Sequence, residues 1–253
     1  MTTDAVPGAV NGFLGRFAAA NAVAFPDTAL PRTHVTGTPV LSGLASLDRS
    51  PEGQASARHA LGLPSDGPTV AAFGGSLGAR RINRAVAAVA CSWRDRSEGA
   101  RSLYHVTGRR DYDEFATGLV CRSDQPADNG HLCYRVVPFE DHMAEFYAAA
   151  DVCVTRAGAM TVAELLIAGV PAILVPLPGA PRDHQTKNAE ALVRIGAAVH
   201  LPDPECDGRR LADELEALLS DPTRLRAMRE AAQGLSHPDA ANRVAELVDA
   251  NAR

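Results

Sequence analysis

A glycine-rich stretch, GGSLGAR at positions 74–80, carries residues that could hold a phosphate group. It follows the apolar run TVAAF and precedes an alanine-rich helical pattern, which predicts a loop between a strand and a helix. Glycines such as Gly75 and Gly78 let an anion approach the backbone N–H groups, and Ser76 adds a hydroxyl donor. The spacing matches neither the dinucleotide-binding fingerprint nor a P-loop, and an ordinary turn is the alternative interpretation.

A second loop-and-helix pattern, TRAGAMTVAE at positions 155–164, could bind a diphosphate and a ribose. Gly158 predicts a turn, and the apolar spacing after it predicts a helix that Gly169 ends. The free N–H groups at such a helix start attract a diphosphate, and Glu164, about one turn further, could accept two hydrogen bonds from a ribose diol. The alternative is a solvated glutamate on the helix surface. The predicted contacts are Ala159, Met160, Thr161, Val162, Ala163 and Glu164.

The stretch DHQTKN at positions 183–188 places a carboxylate and two amides where another helical pattern begins. Amide side chains donate and accept hydrogen bonds at once, which suits the hydroxyl groups of a sugar. We therefore expect Gln185 and Asn188 to contact a substrate. The alternative for Gln185 is an ordinary residue in the first turn of a helix.

The elements that must position these residues alternate regularly between strand and helix patterns. Six strand–helix units predict an α/β fold with a Rossmann-like, doubly wound parallel sheet. Glycine-rich loops follow two of the strands, so we expect the ligand at the carboxyl ends of the strands. Residues 1–40 contain only two short strand patterns, which cannot close a sheet core by themselves. The strand patterns of the sheet lie at 69–73, 103–108, 134–139, 151–154, 172–176 and 199–202.

Composition excludes several classes of function. The chain has 253 residues, which allows one large or two small domains. A net charge of −5 and 5% aromatic residues argue against a nucleic-acid-binding protein. Five cysteines without C-x-x-C spacing indicate reduced thiols rather than disulfides or a zinc site. The longest apolar run, 165–177, is too short to span a bilayer, so any membrane association is expected to be peripheral.

Taken together, the segments TRAGAMTVAE, GVPAILVPL and DHQTKNA resemble the donor-binding half of the MurG family, with GGSLGAR similar to its phosphate loop. These are bacterial glycosyltransferases of the two-domain GT-B type. The resemblance implies inverting transfer of GlcNAc from UDP-GlcNAc to lipid I, forming lipid II at the inner leaflet of the cytoplasmic membrane. It also implies a uracil site at Phe139, Glu140 and Met143. No cofactor is implied, and no bound metal is expected because the start of a helix can stabilise the leaving diphosphate.

The resemblance further implies a domain organisation. Residues 1–41 are expected to be the end of an N-terminal acceptor domain, residues 42–65 a linker and residues 66–240 the UDP-sugar-binding domain. Residues 241–253 are expected to form a helix that reaches back to the N-terminal domain. Roughly a hundred family residues would precede the first of these segments.

Two departures from the family pattern bear on donor binding. Asp4 stands where the family usually has asparagine, and Leu41 stands where it usually has arginine, which removes a cationic contact near the nucleotide. The histidine loop that supplies the family's candidate base is not found here. The catalytic base is therefore unassigned, and we expect no sugar transfer from these 253 residues alone.

Two other classes of function remain open at this point. One is a donor-binding subunit that needs a separate acceptor subunit. The other is a different GT-B enzyme, such as a glycolipid transferase or a UDP-GlcNAc epimerase. His105 could act as a base, but its apolar strand neighbours favour a core histidine.

Overall fold

A computed structural model describes residues 1–75, 78–94, 100–116 and 132–252. Ser76 of the glycine-rich loop and Cys121, one of the five cysteines, lie outside these ranges. In the described part, six parallel strands form one sheet in the order β5-β4-β3-β6-β7-β8, and two more form a small parallel pair. The strands are β1 Asn21–Val23, β2 Thr33–Val35, β3 Thr69–Phe73, β4 Arg101–Val106, β5 Leu132–Val137, β6 Val152–Thr155, β7 Ala172–Leu174 and β8 Ala198–His200.

Helices connect the strands and cover both faces of the large sheet. This arrangement confirms the predicted α/β fold with a doubly wound parallel sheet. None of the described helices is long and apolar enough to cross a membrane. The helices are α1 Ala9–Leu14, α2 Ser42–Ala45, α3 Pro51–Ala60, α4 Arg80–Arg94, α5 Tyr112–Ala116, α6 Met143–Ala149, α7 Ala159–Ala168, α8 His184–Arg194, α9 Gly208–Leu219, α10 Pro222–Gly234 and α11 Ala240–Asn251.

The apolar runs become central strands because both of their faces are covered. In β3, Val70 and Ala72 face a core formed with α4 and α9, while Ala71 and Phe73 face a core formed with α6 and α7. Parallel pairing sets Val70 opposite Leu103 of β4. Continuous burial on both faces explains why these strands read as apolar runs without alternation.

The N-terminal segment forms a separate small layer against this domain. Strands β1 and β2 pair in parallel, with Thr2 bridging to Val23, and no further strand joins them among the described residues. Helix α1 is short and ends at Leu14. One face of this segment, formed by Val10, Phe13, Leu14 and Phe17, is exposed.

Residues 42–65, which we predict to be a linker between two domains, are mostly helical. They form α2 and α3, whose Leu44 and Ala57 are buried in the same core as the sheet. Leu61 and Leu63 follow them into that core. Pro51 at the start of α3 and the Ser50 side chain, which accepts a hydrogen bond from the Gly53 N–H, mark a well-formed helix start. A Ser-, Gly- and Pro-rich composition is therefore compatible with packed helices here.

Arg58 of α3 fastens this segment to the domain. Its guanidinium pairs with the carboxylate of Asp151 at 2.8 Å and donates to the backbone oxygens of Ala149, Ser65 and Gly67. The same Asp151 oxygen accepts from the N–H of Thr69 at 2.8 Å. One buried cation thereby ties the starts of β3 and β6 to α3.

We predict that Arg58→Met lowers the free energy of unfolding by about 3–5 kcal/mol, because it leaves the Asp151 carboxylate without its cation and several carbonyl groups without a donor. Urea unfolding of the purified chain would measure this. His59→Ala alters the exposed neighbour on the same helix and should change stability by less than about 0.5 kcal/mol. Equal, small effects of both substitutions would contradict a stabilising role of Arg58 in the domain.

Candidate functional site

The centre of the large sheet creates a crevice at its carboxyl edge. Strands β3 and β6 are neighbours, but the chain leaves β3 toward β4 on one side and leaves β6 toward β7 on the other. Loops after such a pair diverge, and ligands of open α/β sheets bind in the gap between them. The predicted glycine loop follows β3, and the predicted helix start follows β6, so the fold brings them to the same crevice.

Two glycines shape the loop after β3 in different ways. Gly78 has a φ of +75°, and a Cβ atom there would lie 2.4 Å from the carbonyl oxygen of Thr107, so only glycine fits. Gly75 has a φ of +86°, with open space where a Cβ atom would be. The loop therefore presents accessible backbone at Gly75 and close packing at Gly78.

A buried polar network supports this loop from below. The amide of Asn83 on α4 donates to the Thr107 carbonyl oxygen at 2.9 Å and to Asp111 at 3.2 Å. Its oxygen faces Nε2 of His105 at 3.0 Å, and Nδ1 of His105 lies 2.8 Å from the Tyr134 hydroxyl. Burial lowers the pKa of His105 to about 3. His105 is thus a neutral core residue, in agreement with the favoured interpretation from sequence.

Helix α7 begins at the crevice without a side-chain cap. Its N-cap residue is Gly158, which has no side chain to accept from the first N–H groups. In contrast, Ser50, Asp207 and Asp221 accept such bonds at the starts of α3, α9 and α10. Among the described residues, no side chain accepts from the first N–H groups of α7, and the helix dipole adds a partial positive charge at this end.

The residues of this first turn differ in exposure. Ala159, Met160 and Thr161 are at least partly exposed, with Met160 at 48%, whereas Val162 and Ala163 are buried. Only backbone groups of the buried pair could take part in binding, and the helix already uses the N–H of Val162 for a bond to the Gly158 carbonyl oxygen.

Glu164 is a partly buried carboxylate rather than a solvated helix residue. Its Oε2 atom accepts a hydrogen bond from the Tyr147 hydroxyl at 2.9 Å. Burial raises the pKa of Glu164, and the hydrogen bond from Tyr147 opposes that rise. The bond to Tyr147 is the only one that Glu164 makes among the described residues, which leaves Oε1 for another donor.

Gln185 links two of the loops that border the crevice. Its Oε1 atom accepts from the N–H of Ala157 at 3.2 Å and from the N–H of Leu177 at 2.9 Å. The amide NH2 group keeps its donor capacity for a ligand. Just before it, Arg182 and Asp183 both adopt left-handed backbone conformations, with φ values of 56° and 53°. Two successive non-glycine residues in that region mark a strained loop, which is typical of binding sites.

Asn188 does not face the crevice. Its side chain is fully buried, with Nδ2 donating to Asp4 Oδ1 at 2.8 Å and to the Ala157 carbonyl oxygen at 3.0 Å. Its Oδ1 accepts from the N–H of Ala5 at 2.7 Å. Every bond is internal, so the structure gives no support for the predicted contact between Asn188 and a substrate. The residue instead holds the N-terminal segment against the loop after β6.

The two residues that depart from the family pattern lie in different surroundings. Asp4 accepts from Asn188 as an asparagine oxygen would, but it presents a second acceptor where an asparagine would present an NH2 donor. Leu41, just before α2, is 72% exposed and offers no cation.

The junction after β5 forms the fourth border. Phe139 is 40% exposed, and the Arg109 guanidinium lies 5.1 Å from the centre of its ring. The Glu140 side chain turns inward, where it accepts from the Tyr104 hydroxyl and, at 2.7 Å, from the N–H of His142. Helix α6 begins only at Met143, which packs against the core, so the backbone at Glu140 lies in the loop before the helix. The role of that backbone in reading a base stays a prediction.

Sequence reasoning missed two supporting residues, Tyr147 and Arg156. The Arg156 guanidinium donates to the carbonyl oxygens of Val175 and Pro176, both at 3.0 Å, and to Asp203 at 2.6 Å. Asp203 also pairs with Arg81 of α4 at 2.9 Å. Arg156 belongs to the TRAGA stretch, but nothing local in the sequence indicates that its partners are 19–47 residues away.

The site contains no ready metal centre in the part of the chain that the structure describes. No group of three or more His, Cys, Asp and Glu side chains is arranged there to hold a metal ion.

Comparison with known proteins assigns the domain to a family. The model of the glycosyltransferase family 28 C-terminal domain matches residues 69–244. The chain is 37% identical over 251 residues to the UDP-N-acetylglucosamine–N-acetylmuramyl-(pentapeptide) pyrophosphoryl-undecaprenol N-acetylglucosamine transferase of Desulforudis audaxviator (strain MP104C), and 38% identical over 244 residues to that of Nocardia farcinica (strain IFM 10152). These alignments cover 97% and 96% of the chain but only 65% and 61% of the relatives.

Comparison of structures agrees with the sequence comparison. The crystal structure of Acinetobacter baumannii MurG superposes with a TM-score of 0.77 and 30% sequence identity. The match covers 98% of this chain and 65% of that structure.

The buried histidine yields a prediction on pH-dependent stability. The unfolded state binds a proton at His105 below its ordinary pKa of 6.5, whereas the folded state does not until about pH 3. Between those values stability therefore falls as pH falls, by about 1.4 kcal/mol per pH unit from this residue. We expect His105→Gln to reduce this dependence of stability on pH. Urea unfolding at about pH 4.5, 5.5 and 6.5, within the interval between the two pKa values, would measure it. The exposed His59→Gln should retain the original slope, and identical slopes in both variants would contradict a neutral His105.

Proposed function

The chain belongs to glycosyltransferase family 28, and on that premise we propose that residues 66–240 bind UDP-GlcNAc as a sugar donor. The observation that carries the proposal is the uncapped start of α7 at the strand switch point, with Glu164 little more than one turn away. An anion, a diol and a flat base can be accommodated in sequence along one edge of the sheet.

In this proposal the diphosphate lies between the loop after β3 and the start of α7. Gly75 lets it approach the backbone, and the orphan N–H groups at Ala159, Met160 and Thr161 donate to its oxygens. The Oε1 atom of Glu164 accepts from the ribose diol. The uracil lies at the junction after β5, where the Glu140 backbone pairs with its edge beside Phe139 and Met143. The NH2 group of Gln185 donates to a sugar hydroxyl.

We further propose the whole reaction from the names of the relatives. The C4 hydroxyl of the muramyl sugar of lipid I attacks the anomeric carbon of GlcNAc, the bond from that carbon to the diphosphate breaks, and UDP leaves. Because UDP gains negative charge as it leaves, the start of α7 stabilises it more in the transition state than in the ground state. The described residues supply this donor side. No residue of the chain is assigned as the base that takes the hydroxyl proton.

The proposed acceptor side includes the N-terminal segment. Residues 1–41 pack on the donor domain through the Asp4–Asn188 bond and through the ion pair between Asp27 and Arg194. Arg243 of α11 donates to the Val35 carbonyl oxygen, which supports the expected contact of this helix with the N-terminal segment. A location at the inner face of the cytoplasmic membrane follows from the lipid-linked acceptor and is part of the same proposal.

The first test concerns the nucleotide. We expect UDP and UDP-GlcNAc to bind more tightly than ADP or GDP, because the junction at Phe139, Glu140 and Met143 resembles a uracil site. Competition calorimetry with the four ligands measures the difference. Equal affinity for ADP would contradict the uracil assignment.

The second test concerns the reaction. We expect a fusion of the N-terminal third of a full-length relative to this chain to release UDP from UDP-GlcNAc only when lipid I is present. The matched control is the same fusion with Glu164→Ala, which should need a higher donor concentration. UDP release without lipid I, accompanied by an epimerised sugar, would overturn transfer in favour of an epimerase.

A further inference from the structure

A cluster of aromatic rings lies directly beneath the proposed ribose site. Phe73, Phe146 and Tyr147 contact one another edge to face, with ring centres 5.3–6.2 Å apart. Tyr147 is completely buried, and Phe146 is equally inaccessible. Edge-to-face packing among buried rings fixes their orientation, so the Tyr147 hydroxyl is held in one place.

The Tyr147 hydroxyl is the polar group of this cluster, and Glu164 lies between it and the crevice. It donates to Glu164 Oε2 at 2.9 Å, across the packed faces of α6 and α7. The glutamate side chain has three rotatable bonds and would otherwise lose much conformational freedom on binding a ligand. A bond to a fixed donor removes part of that loss before the ligand arrives.

We propose that Tyr147 is a positioning residue for donor binding: its hydroxyl holds Glu164 in place, with Oε1 directed to the ribose diol. This inference rests on the proposed function, since it requires that Glu164 binds a ribose. Tyr147 itself touches no ligand, because it is buried below the glutamate.

The Glu164 carboxyl group has neutral surroundings. The groups that influence Glu164 are Tyr147 on α6 and Cys153 on β6, both buried and uncharged near neutral pH. No ion pair to Glu164 is present among the described residues. Burial alone raises the pKa of this carboxyl group, and the hydrogen bond from Tyr147 is the contact that lowers it.

The experiment compares two ligands in four forms of the chain. Calorimetry measures the affinity of UDP and of 2′,3′-dideoxy-UDP for the unaltered chain, Tyr147→Phe, Glu164→Ala and Tyr112→Phe. Phenylalanine at position 147 keeps the ring packing and removes only the hydroxyl. Tyr112→Phe deletes the same group from α5, outside the cluster, as a matched control.

We expect the unaltered chain and Tyr112→Phe to bind UDP more tightly than the dideoxy ligand. Glu164→Ala should weaken UDP binding by roughly 10- to 100-fold, and Tyr147→Phe by about 5- to 20-fold, since a hydrogen bond to a carboxylate is lost in each case. The dideoxy ligand should bind all four forms within about twofold, which shows that the remaining site is intact.

A pH series separates positioning from mere packing. Without the Tyr147 hydroxyl, burial acts on Glu164 unopposed, so its pKa rises further. The affinity of Tyr147→Phe for UDP should therefore decline at a higher pH than that of the unaltered chain as the solution is acidified. A purely structural effect would weaken both ligands equally and leave this midpoint unchanged.

The outcomes distinguish the two levels of the proposal. If the unaltered chain fails to prefer UDP over the dideoxy ligand, the ribose assignment of the proposed function is overturned. Suppose instead that the preference for UDP is lost in Glu164→Ala but is as large in Tyr147→Phe as in the unaltered chain. The role of Tyr147 is then overturned while the proposed function stands.

Discussion

The reversal of strand order between β3 and β6 is the constraint on which the rest of the site depends. All six strands of the sheet run in parallel, so every loop that follows a strand emerges at the same edge. The loops after β3 and β6 would lie against each other if both crossovers went the same way. Because the crossovers leave in opposite directions, the loops separate and expose the start of α7. The glycine loop and the start of α7 border one crevice for this reason.

Polar side chains keep that opening in a defined shape. Gln185 and Asn188 each bond to backbone groups of two loops or segments. Arg156 bonds to two carbonyl oxygens just after β7 and to the Asp203 side chain, and none of these bonds is between neighbours in sequence. Irregular loops at the edge of a sheet have few backbone partners of their own, and side chains that cross between them satisfy those groups. Side-chain amides, which suit a sugar ligand, are thus used partly to connect loops of the protein itself. Gln185 retains donor capacity, whereas Asn188 is used entirely inside.

The N-terminal segment is attached to the domain by a few polar contacts and left open elsewhere. Asp4 and Ala5 bond to Asn188, and the backbone at Gly37 packs against His237, where a Cβ atom would lie 2.4 Å from the histidine side chain. Elsewhere the segment exposes Phe13 of α1, Phe17 just after that helix and the edge of a two-stranded parallel pair. Parallel sheets are stable when covered on both sides, and the matched relatives are about half as long again as this chain.

The sequence by itself determined the elements and the chemistry of the loops that join them. Apolar runs without alternation predicted buried parallel strands, and the glycines before two helices predicted anion-binding loops, because these signals depend on neighbours within a few residues. Tertiary structure alone decided how the polar residues are used. Glu164 is fixed by Tyr147, Asn188 is buried against Asp4, and residues 42–65 pack as helices through Arg58 and Asp151. Each partner lies 17 to 184 residues away, and a local pattern contains no information on contacts that only the folded chain creates.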